Sequence, residues 1–122
     1  MQSVRERVLA LKKQKNAVIL AHYYVPDEVQ AVADFVGDSF YLAKAARDAA
    51  ADVILFAGVH FMGESAKILN PARRVLLPDP AADCPMAHMA SAEQISRLRK
   101  EVSDLAVVCY INSTAELKAL SD

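Results

Sequence analysis

Imidazole, phenol, thiol and amide groups recur in this sequence just after short apolar runs. His22, Tyr23 and Tyr24 follow the run 17–21, and His60, Phe61 and Met62 follow the run 52–57 and Gly58. Asp79 follows the run 74–77, with Cys84 in the loop beyond; Tyr110 ends the run 105–110 and Asn112 follows it, ahead of Ser113. Each group has definite chemistry. A histidine donates to a carboxylate or, equally, bonds a backbone carbonyl at a strand end. Tyr24 is either a phenol that passes a proton or a packing aromatic, and Tyr23 reads as packing. Cys84 precedes Pro85; Cys-Pro recurs among iron–sulfur ligands, and an ordinary free thiol is an equal alternative. Gly37-Asp38-Ser39 opens a helix whose free N–H groups and Ser39 hydroxyl suit a carboxylate or phosphate, and a plain turn and cap would look the same. His60 reads as a packed histidine, His88 as exposed, and Cys109 as a small core hydrophobe. The sequence has no Walker loop, G-x-G-x-x-G, H-E-x-x-H or C-x-x-C, and His22, His60 and Cys84 match no zinc spacing.

The elements that would carry these groups follow from periodicity and punctuation. The run 17–21 is continuously apolar and 52–57 is so after Asp52, as in strands buried on both faces of a parallel sheet. The runs 74–77 and 105–110 read as two further strands. Helices are expected over 2–14, from Pro26 to about Phe35, over 39–50, over 63–69, from Ser91 to about Val102, and from Ser113 to the end. Ser91 with Gln94, and Ser113 with Glu116, have the spacing of capping boxes. Strands alternating with helices mean β-α-β units. The expected class is α/β, a three-layer α/β/α unit on a short parallel sheet. Ligands of such sheets bind at the carboxyl ends of the strands, where the polar groups gather. A faint internal repeat, 17–21 and 27–32 against 106–110 and 115–120, suggests one unit in 1–104 and the start of a second in 105–122.

Composition excludes several classes. The 122 residues carry 14 Lys and Arg against 15 Asp and Glu, for a net charge of −1. That balance gives no electrostatic footprint for nucleic acid or an anionic membrane surface. The densest apolar stretch, 53–62, is interrupted by Gly58 and His60 and is far short of the ~20 residues of a spanning helix. The basic N-terminus lacks the apolar core of a secretory signal. Two cysteines make no disulfide framework, so a cytoplasmic chain with reduced thiols is expected.

Together, the motifs resemble one family. Ala21-His22-Tyr23-Tyr24, Glu28-Val29-Gln30, 33–39 with Gly37-Asp38-Ser39, Phe56-Ala57-Gly58-Val59-His60-Phe61-Met62, Leu69-Asn70-Pro71, the Cys84 loop and 110–119 stand in the order seen in quinolinate synthases. The likeness runs from about Asn16 to the last residue. It implies one of three pseudo-repeated α/β units around a [4Fe–4S] cluster, each unit giving one cysteine. It also implies condensation of iminoaspartate with dihydroxyacetone phosphate to quinolinate, a step of NAD biosynthesis. By motif, Cys84 corresponds to a cluster ligand, and His22 and Ser39 to ligands of the substrate carboxylates. Tyr110, Ile111 and Asn112 correspond to substrate contacts, and Tyr24 to an active-site tyrosine alongside His22. This chain has Asp83 where the family commonly has Gly, and His88 where it commonly has an acid.

The likeness covers about one third of the family pattern. The resemblance therefore implies an N-terminal portion, inactive alone, whose remaining units or a separate chain supply the other cluster cysteines. An alternative is a module of the same descent that binds a dicarboxylate or phosphate ester without a cluster, or serves as an interaction domain.

Overall fold

The computed structural model describes residues 2–122. Helix α1, Val4–Gln14, opens on a capping box: Glu6 N–H donates to Ser3 Oγ, and Ser3 N–H to the Glu6 carboxylate. Asn16 then takes a left-handed φ of 46°, a conformation Asn tolerates, and turns the chain into strand β1, Ala17–His22. The next elements are a one-turn helix α2 (Asp27–Gln30), β2 (Phe35–Gly37), α3 (Ser39–Asp48), β3 (Val53–Ala57) and α4 (His60–Leu69). They are followed by β4 (Arg74–Leu76), a 3₁₀ turn Pro85–His88, α5 (Ala92–Glu101) and α6 (Ala115–Ala119).

The four strands form one parallel sheet in the order β2-β1-β3-β4. Leu20 pairs with Phe35 on one side of β1 and with Phe56 on the other. Val18, Leu20, Ile54 and Phe56 point to one face and meet Leu42 and Ala46 of α3 and Phe61, Met62 and Ala66 of α4. Ile19 and Ala21 point the other way and are also buried, while α1 and α2 pack on β1. The expected α/β class with helices flanking a short parallel sheet is thus what forms. Gly63 lets α4 approach the segment after β4: a Cβ there would lie 2.7 Å from a Leu77 methyl carbon.

Several expected boundaries differ, each for a local reason. The helix expected from Pro26 to Phe35 stops after one turn. Asp34 intervenes: its N–H donates to Ile19 C=O at 2.8 Å and its carboxylate accepts the Ile19 N–H at 2.8 Å. That pairing draws the following residues alongside β1 as β2. Helix α3 ends at Asp48 rather than Ala50, where Arg73 donates to the C=O groups of Ala46 and Ala49. Helix α4 begins at His60, three residues early, with Val59 as an N-cap that offers no side-chain bond. The segment 105–110, expected as a strand, forms none and pairs with no described strand, and Val108 is 96% exposed. The N-cap of α6 is Thr114, whose Oγ1 accepts the Leu117 N–H, instead of Ser113. Val4, Leu9 and Leu11 of α1 are exposed, so this helix lacks the buried apolar face expected of it. The capping box at Ser91 and Gln94 forms as expected.

Candidate functional site

A cavity of about 1120 Å³ lies at the carboxyl ends of β1 and β3. His22, Tyr24, Ser39, Cys84, Tyr110, Ile111 and Asn112 all line it, so every site residue expected from sequence reaches one space. His60 does not line it; it is exposed and its Nε2 lies 3.3 Å from Glu64 Oε1 on the next turn of α4. His88 is exposed, as expected. Two residues read as packing groups also face the cavity: Tyr23, and Cys109, whose segment never enters a sheet.

His22 ends β1 and is 8% exposed. The Tyr24 N–H donates to His22 Nδ1 at 3.2 Å, so the bare nitrogen is Nδ1 and the neutral ring carries its proton on Nε2. Burial holds the His22 pKa below its ordinary value, partly offset by the Asp38 carboxylate. The ring stacks on Tyr23 with centroids 4.5 Å apart and meets Tyr24 edge-on at 4.7 Å. The adjacent Tyr24 phenol, followed by burial and the charges of Asp38 and Tyr110, raises the Tyr23 pKa. Gln30 braces this turn by donating to Tyr23 C=O at 3.1 Å and Val25 C=O at 2.9 Å. Tyr24 is 82% exposed, so its ring is held by neither core nor helix.

Ser39 is the first residue of α3, and the capping task falls to Asp38, whose carboxylate accepts the Tyr41 N–H at 2.7 Å. Ser39, largely buried at the positive end of the helix, is not used as its cap and lines the cavity. Asn112 Oδ1 is buried without a hydrogen-bond partner, an acceptor that a ligand donor would satisfy. The cavity lining includes Asp38, Asp79 and Asp83 and no lysine or arginine. Each of these carboxylates accepts a backbone N–H, from Tyr41, Ala81 and Cys84.

Cys84 is half-buried, packs against the core and caps the 3₁₀ turn. The loop before it is tied to α4 by the His60 N–H, which donates to Ala82 C=O at 2.8 Å. Asp83 and His88 bracket the cysteine: the Asp83 carboxylate accepts the Cys84 N–H at 2.8 Å and meets His88 Nε2 at 2.7 Å. The Cys84 amide, and secondly His88, hold the Asp83 carboxyl below its usual range. Asp83 and His88 are therefore partners of each other. Among the described residues, no three His, Cys, Asp or Glu side chains converge as a metal site. No helix of the described residues is long and apolar enough to cross a membrane.

Residues 6–122 match the family model described as quinolinate synthetase A protein. The quinolinate synthase of Fusobacterium nucleatum subsp. nucleatum is 57% identical over 119 residues, covering 98% of this chain and 40% of the relative. That of Caldicellulosiruptor saccharolyticus is 52% identical over 122 residues, covering 100% of this chain and 40% of the relative. That of Chlorobaculum parvum is 55% identical over 121 residues, covering 99% and 38%. The chain thus spans about 40% of the length of these relatives. With the match running through nearly every residue that builds the cavity, the chain belongs to the quinolinate synthase family.

Proposed function

We propose that this chain forms one wall of a quinolinate synthase active site, where iminoaspartate condenses with dihydroxyacetone phosphate to quinolinate with loss of phosphate and water. The observation that carries this reading is the convergence of His22, Tyr24, Ser39, Cys84, Tyr110 and Asn112 on one cavity at the strand ends. His22, neutral with its proton on Nε2, donates to one substrate carboxylate. The Ser39 hydroxyl and the first amides of α3 hold a carboxylate at the positive end of that helix. Asn112 Oδ1 accepts from a substrate N–H or O–H, and Tyr110 beside it closes the wall with Ile111. The exposed Tyr24 phenol exchanges a proton with substrate during the cyclisation steps.

The donor set fits one corner of a [4Fe–4S] cluster: a half-buried Cys84 thiol faces the cavity. Two or three further thiolates would have to come from the remaining units of the enzyme or a separate chain. When bound, such a cluster supplies an iron with an open position that polarises a substrate oxygen as a Lewis acid. The cavity lining of this chain carries no cationic side chain, so charge to balance two carboxylates and a phosphate would also come from outside it.

Anaerobic iron–sulfur reconstitution, read by visible absorption and iron per protein, tests the reading. The chain alone should hold little cluster, and any stable cluster formed by copies pooling their thiolates should vanish in Cys84→Ala. A cluster that survives Cys84→Ala would overturn the ligand assignment and with it the reading of the cavity.

A further inference from the structure

The wall that carries Tyr110, Ile111 and Asn112 has no place in the sheet, so something else must hold it. Its attachment is polar and runs through α4. The Glu64 carboxylate accepts the Ala115 N–H at 2.8 Å, and Lys118 Nζ donates to Ser65 Oγ at 2.9 Å and to Ser113 C=O at 2.7 Å. The Lys118 ammonium also stands 5.7 Å from the centroid of the Phe61 ring, and Leu117 beside it is buried. The base of the loop is closed separately, where Val107 and Asp122 exchange hydrogen bonds at 2.8 and 2.9 Å.

We infer that Glu64 and Lys118 act as a latch that fixes the Tyr110–Asn112 wall over the cavity, as positioning residues for what that wall binds. This rests on the reading of the cavity as a dicarboxylate site. Ser113 is the residue next to Asn112, so a bond to its C=O restrains the backbone directly beside the unpartnered Asn112 amide. Glu64 and Ser65, the α4 ends of these bonds, stand on a helix that starts straight after β3 and whose Phe61 and Met62 line the same cavity. The latch therefore ties the wall to the α4 floor of the site. Burial lowers the Lys118 pKa, in keeping with an ammonium held among protein groups instead of water.

The test uses hydrogen exchange of this chain together with calorimetric titration of L-malate, a stable four-carbon dicarboxylate. In Lys118→Met, amides of 110–117 should exchange about tenfold faster while those of β1 and β3 stay at wild-type rates. L-Malate binding should weaken by about tenfold in the same variant, and Lys118→Arg, which can still donate to both oxygens, should recover much of both effects. Glu64→Ala removes the Ala115 acceptor independently and should act in the same direction, which covers the case where Lys118→Met unfolds. Unchanged exchange over 110–117 in both variants would overturn the latch. Faster exchange with unaltered L-malate affinity would overturn its positioning role. Wild-type chain that takes no L-malate would instead refute dicarboxylate binding by this wall alone, with the exchange rates still deciding the latch.

Discussion

Replacing Asp34 with alanine isolates the device that ends α2 early and creates β2. Ile19 is 3% exposed and its N–H has the Asp34 carboxylate as acceptor at 2.8 Å. Alanine leaves that donor buried and unpaired, which costs about 1–3 kcal/mol. The same carboxylate pairs with Lys12 Nζ at 2.6 Å; a partly exposed pair adds at most about 1 kcal/mol. The expected loss is about 2–3 kcal/mol, a large part of the stability of a chain this size. Asp34→Asn keeps an amide oxygen for Ile19 and loses the ion pair, so it should cost only about 1 kcal/mol. Urea unfolding followed by far-UV circular dichroism reads both: the midpoints shift in that order while the slope, set by the surface exposed, stays constant. If Asp34→Ala lies within about 0.5 kcal/mol of wild type, or Asp34→Asn costs as much as alanine, then Ile19 does not depend on this acceptor and the account of β2 is wrong.

Two further outcomes follow from contacts elsewhere. With the folded pKa of His22 below the unfolded one, the unfolded chain takes up the proton first on acidification. Stability should therefore fall as the pH drops below about 6.5, until folded His22 itself protonates. His22→Gln should flatten that part of the profile, and urea midpoints that decline equally in both proteins would contradict it. Arg73→Ala leaves the Ala46 and Ala49 carbonyls at the end of α3 without their charged donor, so a loss of about 2 kcal/mol is expected. Thermal melts check this, with Arg73→Lys expected to fall between the two.

Much of the sheet is readable from the chain because β1 and β3 are buried on both faces and so are written as continuous apolar runs. The Ser91 capping box is readable because both of its partners lie within one turn. Strand β2 is not, since nothing in Phe35-Val36-Gly37 distinguishes a strand from a helix end; its course depends on Asp34 reaching Ile19 across the fold. The start of α4 is silent for a similar reason. No side chain caps it, and the His60 amide is satisfied by Ala82 from a distant loop. The segment 105–110 carries a strand pattern, but a pattern becomes a strand only beside a partner, and its Cys109 faces the cavity instead of a core. At the site, residue types after the apolar runs pick out His22, Tyr24, Cys84, Tyr110 and Asn112, Ser39 stands out as a helix opening, and the family resemblance supplies their expected roles. The bracing by Gln30, Glu64 and Lys118 was not visible, since each acts on backbone groups whose positions exist only once the chain has folded.

The sheet order has a consequence for how the chain is made. β1 leaves the ribosome before β2 and β3, yet it ends up between them. Its row Val18-Ile19-Leu20-Ala21 is buried on both faces when finished and has neither edge covered when it emerges. β3 follows only after α2, β2 and α3 have been added, a wait of roughly 2–7 s at ordinary rates of elongation. During that interval this apolar strand depends on the translation machinery and its chaperones, and mutations that slow pairing with β3 would first be felt there as lost yield.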